Sequence, residues 1–155
     1  AALEAARRKG VTSVLNTAPL TPEAAALGAL ADIVIANETE FERLVGAEEL
    51  GSEGRIAMLK THHDKTGQTM VITLGGDGVI AMHEGAFFRI DALKIDPVDT
   101  VGAGDTFCGY LASGLEQGLS FEAAAHRASV AGALACLKPG AQPSIPTADE
   151  VKARL

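Results

Sequence analysis

Three short runs rich in β-branched and aliphatic residues, "VTSVLNT" (11 to 17), "ADIVIAN" (31 to 37) and "TMVITLG" (69 to 75), alternate with segments of helical patterning. Apolar runs of this length with little polar alternation are strands covered on both faces, and strands reached through intervening helices lie parallel. The intervening segments carry helix punctuation. "AALEAARRKG" is an Ala-rich pattern stopped by Gly10, "TPEAAALGAL" opens with Thr21 as cap and Pro22 in the first turn, and "ETEFERLVG" is a short helix closed by Gly46. A polar helical stretch then fills the fifties and early sixties. "GGDG" (75 to 78) joins "VITL" to "VIAMHEG" as a turn between strand-like runs, and "AFFRIDALKI" continues extended, so the middle of the chain adds antiparallel pieces. From Ala103, Phe107, Leu111 and Leu115 recur at helical spacing until Gly118, and Ser120 caps a second Ala-rich helix reaching about Leu137. The pattern predicts an α/β fold over residues 1 to 155, with no repeat, low-complexity tract or long linker to divide it.

Composition removes several function classes. Thirteen basic against twenty acidic side chains leave a net charge of −7, which repels phosphate backbones, and no basic run offsets it, so no nucleic acid is expected as partner. No apolar run is long enough to cross a bilayer and no signal peptide opens the chain; a cytoplasmic location and no membrane partner are expected. The first residue is not Met and lies already inside a helical pattern, as in a piece of a longer chain. Cys108 and Cys136 fall in helical patterns without metal-ligand spacing and read as reduced, buried hydrophobes. His62, His63, His83 and His126 read as structural or solvent-facing.

The segment "DTVGAGD" (99 to 105) stands between extended chain and a helix, where the first N–H groups have no intrahelical acceptor. Gly102, Ala103 and Gly104 let an anion approach those donors, and the helix dipole places about half a positive charge there. Asp105 beside such an anion hole competes with the anion, but it is useful where a hydroxyl attacking a phosphoryl group must lose its proton. Asp105 is thus a candidate general base; an aspartate that only caps a helix behind a Gly-rich turn has the same spacing.

"DTVGAGDTFCGYL" (99 to 111) resembles the C-terminal signature of the ribokinase, or PfkB, family of carbohydrate and nucleoside kinases. "NTAP" (16 to 19), "NETE" (37 to 40), "VITLGGDGV" (71 to 79) and "KPGAQPSIP" (138 to 146) resemble segments of that family in the same order, so the likeness covers nearly the whole chain. It implies a three-layer α-β-α sheet, mostly parallel with antiparallel additions, and ATP-dependent phosphoryl transfer to a sugar hydroxyl. "NETE" and the "GAQPS" ending favour D-ribose as acceptor, over the adenosine, fructose, phosphofructose and 2-keto-3-deoxygluconate kinases of the family.

The resemblance also implies roles. Asp105 would deprotonate the attacking hydroxyl, with the amides of Gly102, Ala103 and Gly104 stabilising the transferred group. Asn37 and Glu40 would serve the nucleotide phosphates and, through water, Mg²⁺; a strand-ending Asn and a solvated helix-face Glu are the plain alternative. Thr73, Leu74, Gly75, Gly76, Asp77 and Gly78 would hold ATP, where an ordinary hairpin would explain the same glycines. A potassium site would draw on Asp99, the carbonyls of Val101, Ala135, Lys138 and Gly140, and Ser144 nearby, although a Pro/Gly turn also accounts for "KPGAQPS". Ser129 occupies a position near the adenine where relatives often carry a larger polar side chain. The chain resembles about the C-terminal half only. The half that would supply most sugar contacts and the lid is outside it, so self-association or completion by that half is expected.

Overall fold

A computed structural model describes residues 1 to 155. Its backbone divides into two compact units, Ala1–Leu74 with Ile80–Arg89, and Gly75–Val79 with Ile90–Leu155. No helix is long and apolar enough to cross a membrane.

The first unit begins with helix α1 (Ala2–Arg8), strand β1 (Val14–Asn16), helix α2 (Pro22–Gly28) and strand β2 (Ile33–Asn37). Helices α3 (Glu38–Val45) and α4 (Ser52–Thr66), strand β3 (Thr69–Thr73) and the hairpin of β4 (Val79–His83) and β5 (Ala86–Ile90) follow. The strands form one sheet in the order β1-β2-β3-β4-β5. β1, β2 and β3 are parallel, with Val14 opposite Ile33 and Asn37 opposite Thr73. Helical crossovers supply the chain length that parallel pairing needs. β4 returns antiparallel: Thr69 at the start of β3 meets His83 at the end of β4, Oγ1 to Nδ1, at 2.9 Å.

Local chemistry sets the element ends. The Thr21 hydroxyl accepts the Ala24 N–H and Pro22 fills the first turn of α2, as the sequence predicts. β1 is shorter than the predicted run 11 to 17: the Ser13 carbonyl still accepts the Ile33 N–H at 3.0 Å, but the Ser13 N–H turns to the Asp32 side chain instead of a backbone carbonyl. The Ser13 N–H and hydroxyl donate to Asp32 Oδ2 at 2.8 and 2.6 Å, and the Asp32 N–H donates back to Ser13 Oγ at 3.0 Å. Those donors, the Ser13 hydroxyl foremost, hold the Asp32 carboxyl below its ordinary range. Val34, Phe41, Leu59, Met70 and Ile72 are fully buried together between sheet and helices. Each such side chain contributes about 1.5–3 kcal/mol by leaving water. His63 is buried beside them, its Nδ1 2.8 Å from the Gln68 carbonyl while its Nε2 accepts the Gly85 N–H at 3.0 Å. It therefore donates at Nδ1 and ties the end of α4 to the β4–β5 turn.

In the second unit, α5 (Ala103–Glu116) and α6 (Phe121–Ala135) pack tightly, and α7 (Ala148–Lys152) lies against α6. A Cβ on Gly114 would stand 2.9 Å from Ala124 Cβ, so hydrogen at that position sets the closeness of the helices. Ser120 caps α6 through the Ala123 N–H. α6 ends at Ala135, two residues short of the predicted Leu137, and Cys136 forms its cap. The Tyr110 hydroxyl donates to the Pro146 carbonyl at 2.7 Å, with the Arg127 guanidinium over its ring.

α7 carries a pH-sensitive cap. Glu150 accepts from the Thr147 N–H at 2.7 Å and hydroxyl at 3.0 Å, and pairs with Lys138 at 3.1 Å. The Thr147 backbone bond foremost, then Lys138, holds Glu150 at about 2, down from the ordinary 4.5. Stability from a depressed carboxylate is complete above the unfolded value and disappears as pH falls through the folded one. Acid titration of the melting temperature between pH 4.5 and 2 should therefore show a loss that Glu150→Gln flattens; identical slopes in both proteins would refute this role.

Candidate functional site

Gly102 precedes α5 with φ +79°, and a Cβ there would press within 3.0 Å of Ala141. Only glycine meets both demands without strain. No side chain caps this helix end. The Ala103 N–H donates to the Thr100 carbonyl at 3.3 Å and the Thr106 N–H to the Gly102 carbonyl at 2.9 Å, whereas the amides of Gly102, Gly104 and Asp105 have no intramolecular acceptor. An uncapped helix start with free donors and small side chains suits an anion.

Asp105 lies in the first turn, exposed, and its carboxylate makes no hydrogen bond or ion pair. The capping alternative open from sequence is thus not the arrangement found. Three residues on, burial foremost and the Asp105 charge next push the Cys108 thiol up to about 11, so it stays protonated. The Thr106 hydroxyl is buried without a partner.

Asp99 draws two loops onto this helix start. Its Oδ1 accepts the Val101 N–H at 3.0 Å and its Oδ2 accepts the Gly140 N–H at 2.8 Å; the Gly140 bond foremost keeps its carboxyl below the ordinary range. The Val98 and Asp99 N–H groups both donate to the Cys136 carbonyl, next to Ala135. Buried Ser144 donates to the Ala141 carbonyl at 2.7 Å, closing the same loop. Asp99, Val101, Gly140 and Ser144 are therefore brought together around residues 98 to 102 and 136 to 144. Lys138 is exposed and its ammonium is engaged by Glu150. Asp99 is the one carboxylate of these two loops, and no cluster of three His, Cys, Asp or Glu side chains is placed to hold a metal ion.

In the first unit, Asn37 and Glu40 form a capping box: the Glu40 N–H donates to Asn37 Oδ1 at 2.9 Å and the Asn37 N–H to Glu40 Oε2 at 3.0 Å. Glu40 is only 8% exposed, so the solvated helix face considered from sequence does not describe it. The buried Thr17 hydroxyl stands 3.4 Å from the same Oε2, while Oε1 takes no bond. A nearly buried carboxylate with one unpartnered oxygen fits a bound water or hydrated cation such as Mg²⁺. Arg55 secures α3 from α4, reaching Glu38 at 3.0 Å and Glu42 at 2.9 Å. Thr73 sits opposite Asn37 at the carboxyl ends of parallel strands, its hydroxyl 3.5 Å from the Ala36 carbonyl. Such strand ends are where open α/β sheets place ligands. Half-buried Leu74 follows and packs on the core of the first unit.

Gly75, Gly76 and Asp77 form an exposed 3₁₀ turn inside the β3–β4 connection, which is the hairpin considered from sequence, and Gly78 behind them is buried. Lys94 donates to the Gly76 carbonyl at 3.2 Å. Ser129 is buried on α6. Thr17 and Lys94, neither signalled by the sequence as a candidate, contact these groups, and Thr17 stands inside the "NTAP" stretch.

Comparison with known proteins gives concordant matches. The model of the pfkB family of carbohydrate kinases matches residues 1–148. A ribokinase of Haemophilus influenzae is 38% identical over 96% of this chain and 49% of its own length. A Staphylococcus aureus ribokinase is 36% identical over 97% of this chain and 50% of its own. The structure of Arabidopsis thaliana ribokinase complexed with ribose and ATP superposes with a TM-score of 0.88 at 28% identity, covering 97% of this chain and 49% of that one. The chain thus spans about half the length of the relatives it matches.

Proposed function

We propose, from the premise that this chain belongs to the PfkB family of carbohydrate kinases, that it supplies the ATP-binding and catalytic part of a sugar kinase acting on D-ribose. The observation that carries this is the uncapped start of α5, with its free amides and the unpaired Asp105 carboxylate side by side. Asp105 takes the proton of the attacking sugar hydroxyl as its oxygen bonds to the γ-phosphorus of ATP and ADP leaves. The amides of Gly102, Ala103 and Gly104 bear the charge on the transferred phosphoryl group, Gly104 being free to donate and Ala103 doing so after release from Thr100.

Residues 73 to 78 hold the nucleotide, Ser129 contributes toward the adenine, and Asn37 and Glu40 face the phosphates. Mg²⁺, held through water by Glu40, supplies charge neutralisation on the phosphates. Asp99, with the carbonyls of Val101, Ala135, Lys138 and Gly140 and with Ser144 nearby, holds K⁺, which steadies residues 99 to 104. The ribose contacts come from the remainder of the kinase or from self-association of this chain.

The test is ADP release with Mg-ATP and D-ribose, in potassium against sodium. Ribose-dependent release that is faster in potassium is the expected result. ATP binding without release favours the second reading, a nucleotide-binding module that performs no chemistry as this chain, for which the half-length coverage speaks. Absence of ATP binding overturns both.

A further inference from the structure

Glu40 presents a problem that its capping role does not solve. A glutamate in the first turn of a helix normally keeps its carboxylate in water, yet this one is 8% exposed and one oxygen is fully engaged while the other has no partner. Both donors fall on Oε2: the Asn37 N–H at 3.0 Å from its own helix cap, and the Thr17 hydroxyl at 3.4 Å from the chain just beyond β1. Thr17 is 1% exposed, and its own N–H donates to the Ile35 carbonyl at 3.0 Å, so the backbone that carries the hydroxyl is fixed to β2. The hydroxyl has a single proton and two acceptors, the Ile35 carbonyl at 3.2 Å and Glu40 Oε2.

If Thr17 served only to satisfy itself, the Ile35 carbonyl would suffice and no carboxylate would be needed within reach. A hydroxyl proton shared between the Ile35 carbonyl and Oε2 adds its donation to Oε2 and none to Oε1, which biases the carboxyl against rotating about its last bond and exchanging its oxygens. Oε1 then remains the oxygen available to a water or cation, in one orientation.

We propose that Thr17 is a positioning residue that fixes the Glu40 carboxylate so that Oε1 receives the magnesium-bound water, resting on the assignment of Glu40 made above. Partners that orient a metal-facing carboxylate typically contribute 10- to 100-fold in metal affinity, and a contact through water belongs at the low end. Thr17→Val keeps the shape and removes the hydroxyl, Thr17→Ser keeps the hydroxyl and removes the methyl, and Thr17→Ala is the second hydroxyl-free variant should the valine protein fail to fold.

The measurement is ATP affinity by calorimetric titration at stepped Mg²⁺ concentrations, with thermal melting by circular dichroism on the same proteins. The expected result is a roughly 10-fold rise in the Mg²⁺ concentration for half-maximal ATP binding in Thr17→Val or Thr17→Ala. Thr17→Ser returns it toward the parent, and ATP affinity without Mg²⁺ is unchanged in all three. A lower melting temperature with the Mg²⁺ midpoint unmoved assigns Thr17 a structural role and overturns the proposal. Glu40→Gln separates the two levels: if it shifts the midpoint while the Thr17 variants do not, Thr17 alone is refuted. If Glu40→Gln is silent as well, the assignment of Glu40 falls and the proposal with it.

Discussion

Asp105→Asn lowers ribose-dependent ADP release by roughly 10²–10⁴-fold, the usual contribution of a positioned general base. The variant changes no packing, because the side chain is exposed and holds no hydrogen bond that asparagine would break. Nucleotide affinity should stay the same or tighten, since a negative charge is removed from beside the free amides proposed to receive the phosphate. A fall in turnover together with a fall in ATP affinity would instead mean that Asp105 organises the loop. Cys108 offers a check independent of catalysis. Its thiol stands at about 11 through burial first and the Asp105 charge second. In the asparagine protein it should titrate lower while burial still keeps it above its ordinary value of 9.0. An unchanged thiol would show that the carboxylate is neutral or turned away, and would remove the electrostatic basis of its assignment as base.

Features carried by neighbouring residues were legible in the sequence. Thr21, Gly46 and Ser120 sit at helix ends for local reasons, and the apolar runs around Ile33 and Met70 form parallel strands because both faces are covered. Where a side chain reached across the chain, legibility ended. At the start of β1 the Ser13 N–H is taken by the Asp32 side chain, nineteen positions away. The approach of Thr17 to Glu40 spans twenty-three positions, and no periodicity reports it. Asp105 illustrates a different limit: the spacing of "GAGD" suits both a capping carboxylate and a free one, and only the coordinates distinguish them. The fold is thus mostly local information repeated along the chain, whereas the candidate groups in each unit rest on distant contacts, between 98 to 102 and 136 to 144 in one and between 17 and 40 in the other.

Gly78→Ala should be among the most destabilising single-methyl changes in this protein, at about 3–5 kcal/mol, combining backbone strain with overpacking. Gly78 has φ +94°, and a Cβ there would lie 2.0 Å from the Ile90 carbonyl oxygen and 2.8 Å from the Ala92 nitrogen. Both obstacles are backbone, so no rotamer change relieves them. Gly76→Ala is the matched control two residues earlier: it has an ordinary φ and nothing within 4 Å of the added carbon, so it should stay within about 0.5 kcal/mol of the parent. Urea unfolding of the two proteins measures the difference, and equal midpoints would refute the packing of this turn against residues 90 to 92. The contrast also bears on nucleotide binding. The turn is held from behind by Gly78 and from the side by Lys94 on the Gly76 carbonyl, leaving Gly75, Gly76 and Asp77 exposed. If residues 73 to 78 cradle ATP as proposed, Gly78→Ala weakens ATP binding under conditions where the variant is still folded, because the cradle loses its backing. Gly76→Ala then weakens it only if the nucleotide itself occupies the open space over that glycine, which makes the pair a test of where ATP lies as well as of what supports it.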